Sequence, residues 1–250
     1  MYEIFEVNGQ SPFYTVQASD DLTMMCHGAR EATYQGVGYA NLNPENADNK
    51  IDSVISYFKE RQLPFMWYIG PDTRPTNLGE LLQKHGLNFG GEAPAMAIKI
   101  SDLKPRQLPK GFRIELAQDQ DQLRTFFDTW IESYPFPKQL GDIYYDIFTS
   151  KGFKIDYPNK FYIGYLEDNP IATSRVFHGS EFASLYWVST NPSARGRGIA
   201  TAMTINPLRE SQSLGYKMAC LFATNMGSHV YPKIGFKEYY KLGVYVWMPE

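Results

Sequence analysis

The sequence predicts a mixed α/β protein of two similar units, each a mostly antiparallel, twisted sheet flanked by helices. Three observations carry this expectation. Strand-like and helix-like stretches follow one another with a long crossover in the back half, which gives a mixed sheet with helices on both faces. The order helix, buried strand, short helix, Lys-x-Gly-apolar, strand occurs twice, through Lys84-His85-Gly86-Leu87 and again through Lys233-Ile234-Gly235-Phe236. A glycine-rich turn opens the long helix of the back copy, and no comparable turn opens that of the front copy.

Taken in order, residues 1 to about 20 carry little pattern, and Pro12-Phe13-Tyr14-Thr15-Val16 either closes a helix or begins a strand. Asp21 to His27 and Thr33 to Leu42 read as strands. The loop from Asn41 to Asn46 carries helix-start chemistry, and Ile51, Val54, Ile55 and Phe58 then fall on one helical face. Pro64 to Ile69 is a buried strand, and Asn77 to His85 is a helix stopped by Gly86. Pro94 to Ile100 is a further strand. Ser101 to Lys110, with Pro105 and Pro109, reads as the connection, so the units are expected at residues 1–105 and 106–250.

In the back half Phe112 to Leu116 is a strand, and Asp119 caps a helix bearing Leu123, Phe126, Phe127, Trp130 and Ile131. Leu140 to Thr149 is a second helix. Phe161 to Leu166 and Ile171 to Phe177 flank Glu167-Asp168-Asn169-Pro170 as a hairpin. Phe182 to Val188 is an apolar strand, and a helix runs from about Gly198 to Leu214, with Pro207 expected to kink or split it. Tyr216 to Ala223 is a strand, and Phe236 to Trp247 reads as a final strand pair.

Composition narrows the function classes. A hydrophobic content of 43% with 20% charged residues suits a soluble globular protein, and a net charge of −3 argues against nucleic acid as the main partner. Cys26 and Cys220 stand outside any metal or redox spacing and read as reduced core thiols. No apolar run approaches a membrane span, and Met1-Tyr2-Glu3-Ile4 does not begin a signal peptide, so a cytoplasmic location is expected. No His, Cys or carboxylate cluster has metal-ligand spacing, and no metal is expected.

The chemistry concentrates in Ser189 to Met203. A strand passing through a glycine-rich turn into a helix leaves backbone N–H groups unpaired at the positive end of the helix dipole, which suits phosphate oxygens. No Lys-Ser or Lys-Thr follows the second glycine, so this is not a Walker A loop, and the later residues of a dinucleotide fingerprint are missing. With Arg195, Gly198 and Ala200 at their spacing, preceded by Pro192, the stretch resembles the acetyl-CoA loop of the GNAT family of N-acetyltransferases. Asn225-Met226-Gly227-Ser228-His229-Val230-Tyr231-Pro232-Lys233-Ile234-Gly235-Phe236 resembles that family's later motif. The front half has no Arg-x-x-Gly-x-Ala turn, and aligning Gly86 with Gly235 puts Leu82 where the back copy has Tyr231. The chain thus resembles a tandem GNAT protein with a degenerate front half.

The resemblance implies an acetyl-CoA-dependent N-acetyltransferase acting on a primary amine of a small molecule or peptide, as a monomer or homodimer, by direct attack on the thioester. It implies that the main chain of Val188, Ser189 and Thr190 pairs with the pantetheine arm. The N–H groups of Arg195, Gly196, Arg197, Gly198, Ile199, Ala200 and Thr201 would then cradle the pyrophosphate, with the Arg195 and Arg197 side chains as optional contacts. Tyr231 is the expected general acid, a phenol able to protonate a departing thiolate, and Asn225 either bridges the arm or caps the next helix. Glu181 or a water relay is the open choice of base, while His178 and His229 read as structural. Tyr134 to Tyr157, with Asp142, Asp146 and Asp156, is expected to shape the acceptor site. A non-catalytic acyl-CoA sensor and a transferase of longer acyl groups are the alternatives.

Overall fold

The structure, a computed structural model, describes residues 14–150, 152–154 and 158–250. The chain before Tyr14, and Asp156 and Tyr157 of the expected acceptor stretch, lie outside the described residues. The front elements are β1 (Thr15–Ala18), β2 (Leu22–Cys26), β3 (Gly36–Ala40), α1 (Ala47–Glu60), β4 (Phe65–Ile69), α2 (Leu78–Lys84) and β5 (Asn88–Lys99). The back elements are β6 (Phe112–Leu116), α3 (Gln120–Glu132), α4 (Lys138–Thr149), β7 (Asn159–Leu166), β8 (Asn169–His178) and β9 (Phe182–Thr190). After these come α5 (Ile199–Ser213), β10 (Met218–Phe222), α6 (Tyr231–Ile234) and β11 (Lys237–Trp247).

Two compact units divide these elements: residues up to Ala93 together with Tyr240–Glu250, and Pro94–Tyr239. This differs from the expected division at 105/106. The cause is strand pairing. β4 pairs antiparallel with β11, from Phe65↔Trp247 to Ile69↔Gly243, and β10 pairs antiparallel with β5, from Met218↔Lys99 to Phe222↔Ala95. Each unit therefore takes one strand from the other half of the sequence.

In the first unit the strand order is β1-β2-β3-β4-β11-β5, with β3 and β4 parallel across the α1 crossover. Ile51, Val54 and Phe58 recur at helical spacing on α1 and are buried with Phe65, Trp67, Leu78 and Leu82. β3 and β4 pair through Gly36↔Met66 and Val37↔Trp67, at an approach so close that a Cβ on Gly36 would stand 1.9 Å from the Met66 carbonyl oxygen. Beyond Val37 the chain seals its own sheet edge. The Arg74 N–H donates to the Ala40 carbonyl (3.1 Å), and the Leu42 N–H donates to the Arg74 carbonyl (2.9 Å).

In the second unit the order is β5-β10-β9-β8-β7-β6, and β9 and β10 form the parallel pair across α5. One side of this sheet buries Ile199, Met203, Ile205 and Leu208 of α5 with Tyr162, Val176 and Leu185. On α3 and α4, Phe127, Trp130, Tyr144 and Phe148 form an aromatic cluster with Phe161 of β7 and Trp187 of β9. Asp119 caps α3 as expected, its Oδ1 accepting from the Gln122 N–H at 2.8 Å. β7 and β8 meet through the two-residue turn Glu167-Asp168, with Glu167 at φ 56°, so Asn169 and Pro170 already belong to β8.

Two expected breaks do not occur. α5 continues through Pro207 as one helix and is not split there. The ring removes the N–H that would bond the Met203 carbonyl; Asn206 Nδ2 donates to the Ala202 carbonyl (3.0 Å), Ser211 Oγ donates to that of Pro207 (3.1 Å), and Pro207 is buried. The final strand pair is one strand, β11. Gly243 sits inside it in register with Ile69 and turns nothing. Among the described residues no helix is long and apolar enough to cross a membrane, and no group of three or more His, Cys, Asp or Glu side chains is placed to hold a metal ion.

Candidate functional site

The site begins where a parallel strand pair opens. β9 and β10 are in register only from Phe182↔Met218 to Ser184↔Cys220, so from Leu185 onward β9 has no strand on that edge among the described residues. A bulge follows. Against β8 the register changes from Arg175↔Tyr186 to Thr173↔Ser189, which inserts an extra residue into β9 at Trp187, whose φ is 51°. Stacking of Trp187 on Trp130 at 4.9 Å, among the rings of α3 and α4, holds this uncommon backbone in place.

The bulge decides which backbone groups face the opening. Asn191 N–H donates to the Ile171 carbonyl at 2.7 Å, and Ser189 is opposite Thr173, so alternate residues Ser189 and Asn191 turn their peptide groups toward β8. Val188 and Thr190 turn theirs to the open edge. Both carbonyls there already have donors: Tyr134 Oη donates to Val188 O at 2.9 Å, and Arg195 Nε donates to Thr190 O at 3.1 Å. Thr190 Oγ1 is buried beside them with no hydrogen-bond partner among the described residues.

Past Thr190 the chain tightens into a 3₁₀ turn at Pro192–Ala194, with Asn191 Oδ1 accepting from the Ser193 N–H at 3.2 Å. Gly196 and Gly198 both sit at φ 78°, and a Cβ on either would meet nothing within 4 Å. These glycines therefore serve backbone conformation and free approach, not packing. α5 starts immediately after, and its first interior bond runs from the Ala202 N–H to the Gly198 carbonyl at 3.1 Å. The N–H groups of residues 196–201 make no hydrogen bond among the described residues, and no acidic side chain occupies the first turn of α5. A cluster of donors at a positive helix end with room in front of it is an anion cradle.

Tyr231 opens α6 on the same side of the parallel pair. Its ring packs on Phe236 at 5.7 Å, and Gly227 makes room for it, since a Cβ there would stand 2.8 Å from the ring. Burial pushes the Tyr231 phenol well above the usual tyrosine range, and the nearby Tyr134 phenol adds to the rise. α6 ends with Gly235 at φ 113° and the Phe236 N–H donating to the Tyr231 carbonyl at 3.1 Å, so the Lys-Ile-Gly-Phe motif is a helix stop that fixes Tyr231 one turn back.

The structure thus brings Val188, Thr190, the loop glycines, the start of α5, Tyr231 and Tyr134 into one region of the second unit. Arg195 is already committed, since its Nη2 donates to the Ser133 carbonyl (3.1 Å) as well as its Nε to Thr190, while Arg197 is exposed. Asn225 is exposed and is not the helix cap: Thr224 Oγ1 accepts from the Gly227 N–H at 3.1 Å instead. Glu181 lies just before β9, at the end of the strand away from the loop and roughly 30 Å from it at about 3.3 Å per residue. His178 is structural, its ring nitrogen 2.9 Å from Ser211 Oγ. Tyr134 is the residue that sequence reasoning placed only inside a broad acceptor loop, because its contact with Val188 spans 54 positions and belongs to no local motif.

Against known proteins, residues 117–239 match the model of an acetyltransferase (GNAT) domain. No curated protein matches the chain. A GCN5-related N-acetyltransferase from Kribbella flavida is similar over 99% of this chain and 94% of its own, with a TM-score of 0.73 at 12% identity. A protein from Staphylococcus epidermidis described as functionally unknown gives a TM-score of 0.73 at 10% identity, over 100% of this chain and 98% of its own. A tandem GNAT protein from the clavulanic acid biosynthesis pathway gives 0.64 at 8% identity, over 96% and 85%. At such identities the structural likeness is one of fold.

Proposed function

Because the chain carries a GNAT acetyltransferase domain over residues 117–239, we propose that it is an acetyl-CoA-dependent N-acetyltransferase. The observation that carries this reading is the run of unpaired N–H groups at residues 196–201, opening onto free space beside two glycines. That cradle fits a pyrophosphate, and the open edge of β9 beside it fits an extended arm with amide groups. Acetyl-CoA supplies an activated thioester, so the protein needs little covalent chemistry of its own.

The residues then have separate tasks. The Val188 and Thr190 N–H groups on the open edge hold carbonyl oxygens of the arm and fix its direction. The start of α5 neutralises the pyrophosphate. The amine nitrogen forms its bond to the acetyl carbon as the carbon–sulfur bond breaks. Tyr231, kept protonated by burial, gives its proton to the departing sulfur. The amine's proton leaves to solvent or a water relay. The acceptor is a primary amine of a small molecule or peptide. Cys26 and Cys220 form no disulfide, which suits a reducing compartment, and the cytoplasm is the proposed location.

Isothermal titration with acetyl-CoA, on the wild type and on Gly198→Asp, tests the reading. A carboxylate placed at the cradle repels the pyrophosphate, so binding disappears in a variant whose circular dichroism is unchanged. Release of free thiol with a panel of amines then separates an enzyme from a binding protein. Binding without turnover on any amine would leave an acyl-CoA sensor.

A further inference from the structure

We propose that Tyr134 is a latch on the open edge of β9, its phenol holding the Val188 carbonyl until an arm of the co-substrate takes its place. The proposal rests on the acetyl-CoA reading above. Tyr134 lies in the turn between α3 and α4, and its ring is stacked on Phe136 at 5.2 Å. Its Oη stands 2.9 Å from the Val188 oxygen, on the side where β9 has no neighbouring strand. A paired strand lies about 4.8 Å away, so the phenol occupies the lane in which an extended arm would run. Arg195 makes a second clip from the same edge, reaching from Thr190 O to the carbonyl of Ser133, the residue next to Tyr134.

The consequence is competition. An amide-bearing arm pairing along Val188 to Thr190 must displace the phenol, which loses a hydrogen bond that the arm then replaces. Release of the latch frees the turn that leads into α4, the helix carrying Asp142 and Asp146. Arrival of the co-substrate thereby precedes completion of the acceptor side, and Tyr134 acts as a positioning residue, not as a group that handles protons.

Acetyl-CoA titration of wild type and Tyr134→Phe tests this. Phenylalanine keeps the stack on Phe136 and deletes only the competing donor, so the variant binds acetyl-CoA roughly five-fold more tightly, the equivalent of one hydrogen bond. In turnover the KM for acetyl-CoA falls by a similar factor, while a merely structural role would raise it. Tyr134→Leu, which also deletes the donor, is the second variant should the first lose its fold. Binding that is unchanged or weaker in a folded variant overturns the latch and leaves the acetyl-CoA reading intact. Absence of binding by wild type and variants alike overturns both.

Discussion

The two units share a plan and differ at the places where a ligand would sit. Each has a parallel strand pair joined across a long helix, β3 and β4 around α1 and β9 and β10 around α5. Each then has a short helix stopped by a left-handed glycine, Gly86 at φ 88° and Gly235 at φ 113°. The closing bonds correspond too: Leu87 N–H donates to Leu82 O at 3.0 Å, and Phe236 N–H donates to Tyr231 O at 3.1 Å. Leu82 and Tyr231 are therefore equivalent positions, one an apolar plug and one a phenol. In the second unit the strand edge is left to side chains and open space. In the first it is paired by Arg74, and α1 already carries Asp48 in its first turn where an anion would have to bind. The difference teaches that an open strand edge of this kind can be filled by the chain's own peptide groups, as at Arg74, where the other unit leaves it free for the co-substrate proposed above.

The largest test of this comparison is to separate the halves. Chains 1–105 and 106–250 each lack a strand that the other supplies, β11 for the first unit and β5 for the second. Each is expected to be unfolded or insoluble alone and to recover helix and sheet signal in circular dichroism on co-expression. A well-folded 106–250 fragment would break the comparison. Next come the glycines. Gly36→Ala places a Cβ against the Met66 carbonyl in a backbone region that disfavours side chains, for an expected loss of about 3 kcal/mol or more in urea unfolding. Gly198→Ala, with empty space around it, costs about 1 kcal/mol of stability.

Tyr231→Phe is expected to lower kcat about 100-fold, near 2.7 kcal/mol, without a matching change in the acetyl-CoA dissociation constant. Leu82→Ala does the reverse, costing about 2–5 kcal/mol of stability and leaving the chemistry in place. Titration should find one acetyl-CoA per chain, and a second equivalent of similar affinity would show that the Arg74 seal does not close the first unit.

The smallest effect is electrostatic. His85 lies between Asp48 and Asp52, 2.7 Å from an oxygen of each, and the hydrogen bond to Asp48 is the main cause of its raised pKa. A raised pKa stabilises fully below the unfolded value near 6.5, and that contribution is lost as pH rises through the folded value. Because both carboxylates are exposed, the gain is below about 1 kcal/mol. The difference in melting temperature between wild type and Asp48→Asn should shrink as pH is raised above neutrality. His178 in the second unit is pushed the other way by burial, so its contribution is lost as pH falls.

What was legible in the sequence was local. The α1 face, the Asp119 cap, the two glycine stops and the loop from Pro192 to Ala200 follow from spacing within a few residues, and so does the equivalence of Leu82 and Tyr231. The pairing partner of a strand is not written in that strand. Nothing in Asn88 to Lys99 says that it pairs with β10, or in Lys237 to Trp247 that it pairs with β4. The loop was legible as an anion cradle because glycine and helix-start chemistry are adjacent in the chain. The commitment of Arg195 to Ser133, and of Tyr134 to Val188, depends on a turn 54–62 positions away. The local cost of Pro207 is visible in the sequence, whereas its burial within one continuous helix belongs to the fold.

The strand exchange also sets an order of assembly. A ribosome delivers about 5–20 residues each second from the N-terminus, and domains made first ordinarily fold first. Here the front unit waits for Tyr240–Glu250, so its sheet closes only after almost all of the back unit has been made. The back unit takes its borrowed strand, residues 94–99, from chain already synthesised. The unit with the proposed site is thus complete before the other, and premature termination within β11 spares that site's residues while leaving the front sheet unfinished, a ready target for proteases.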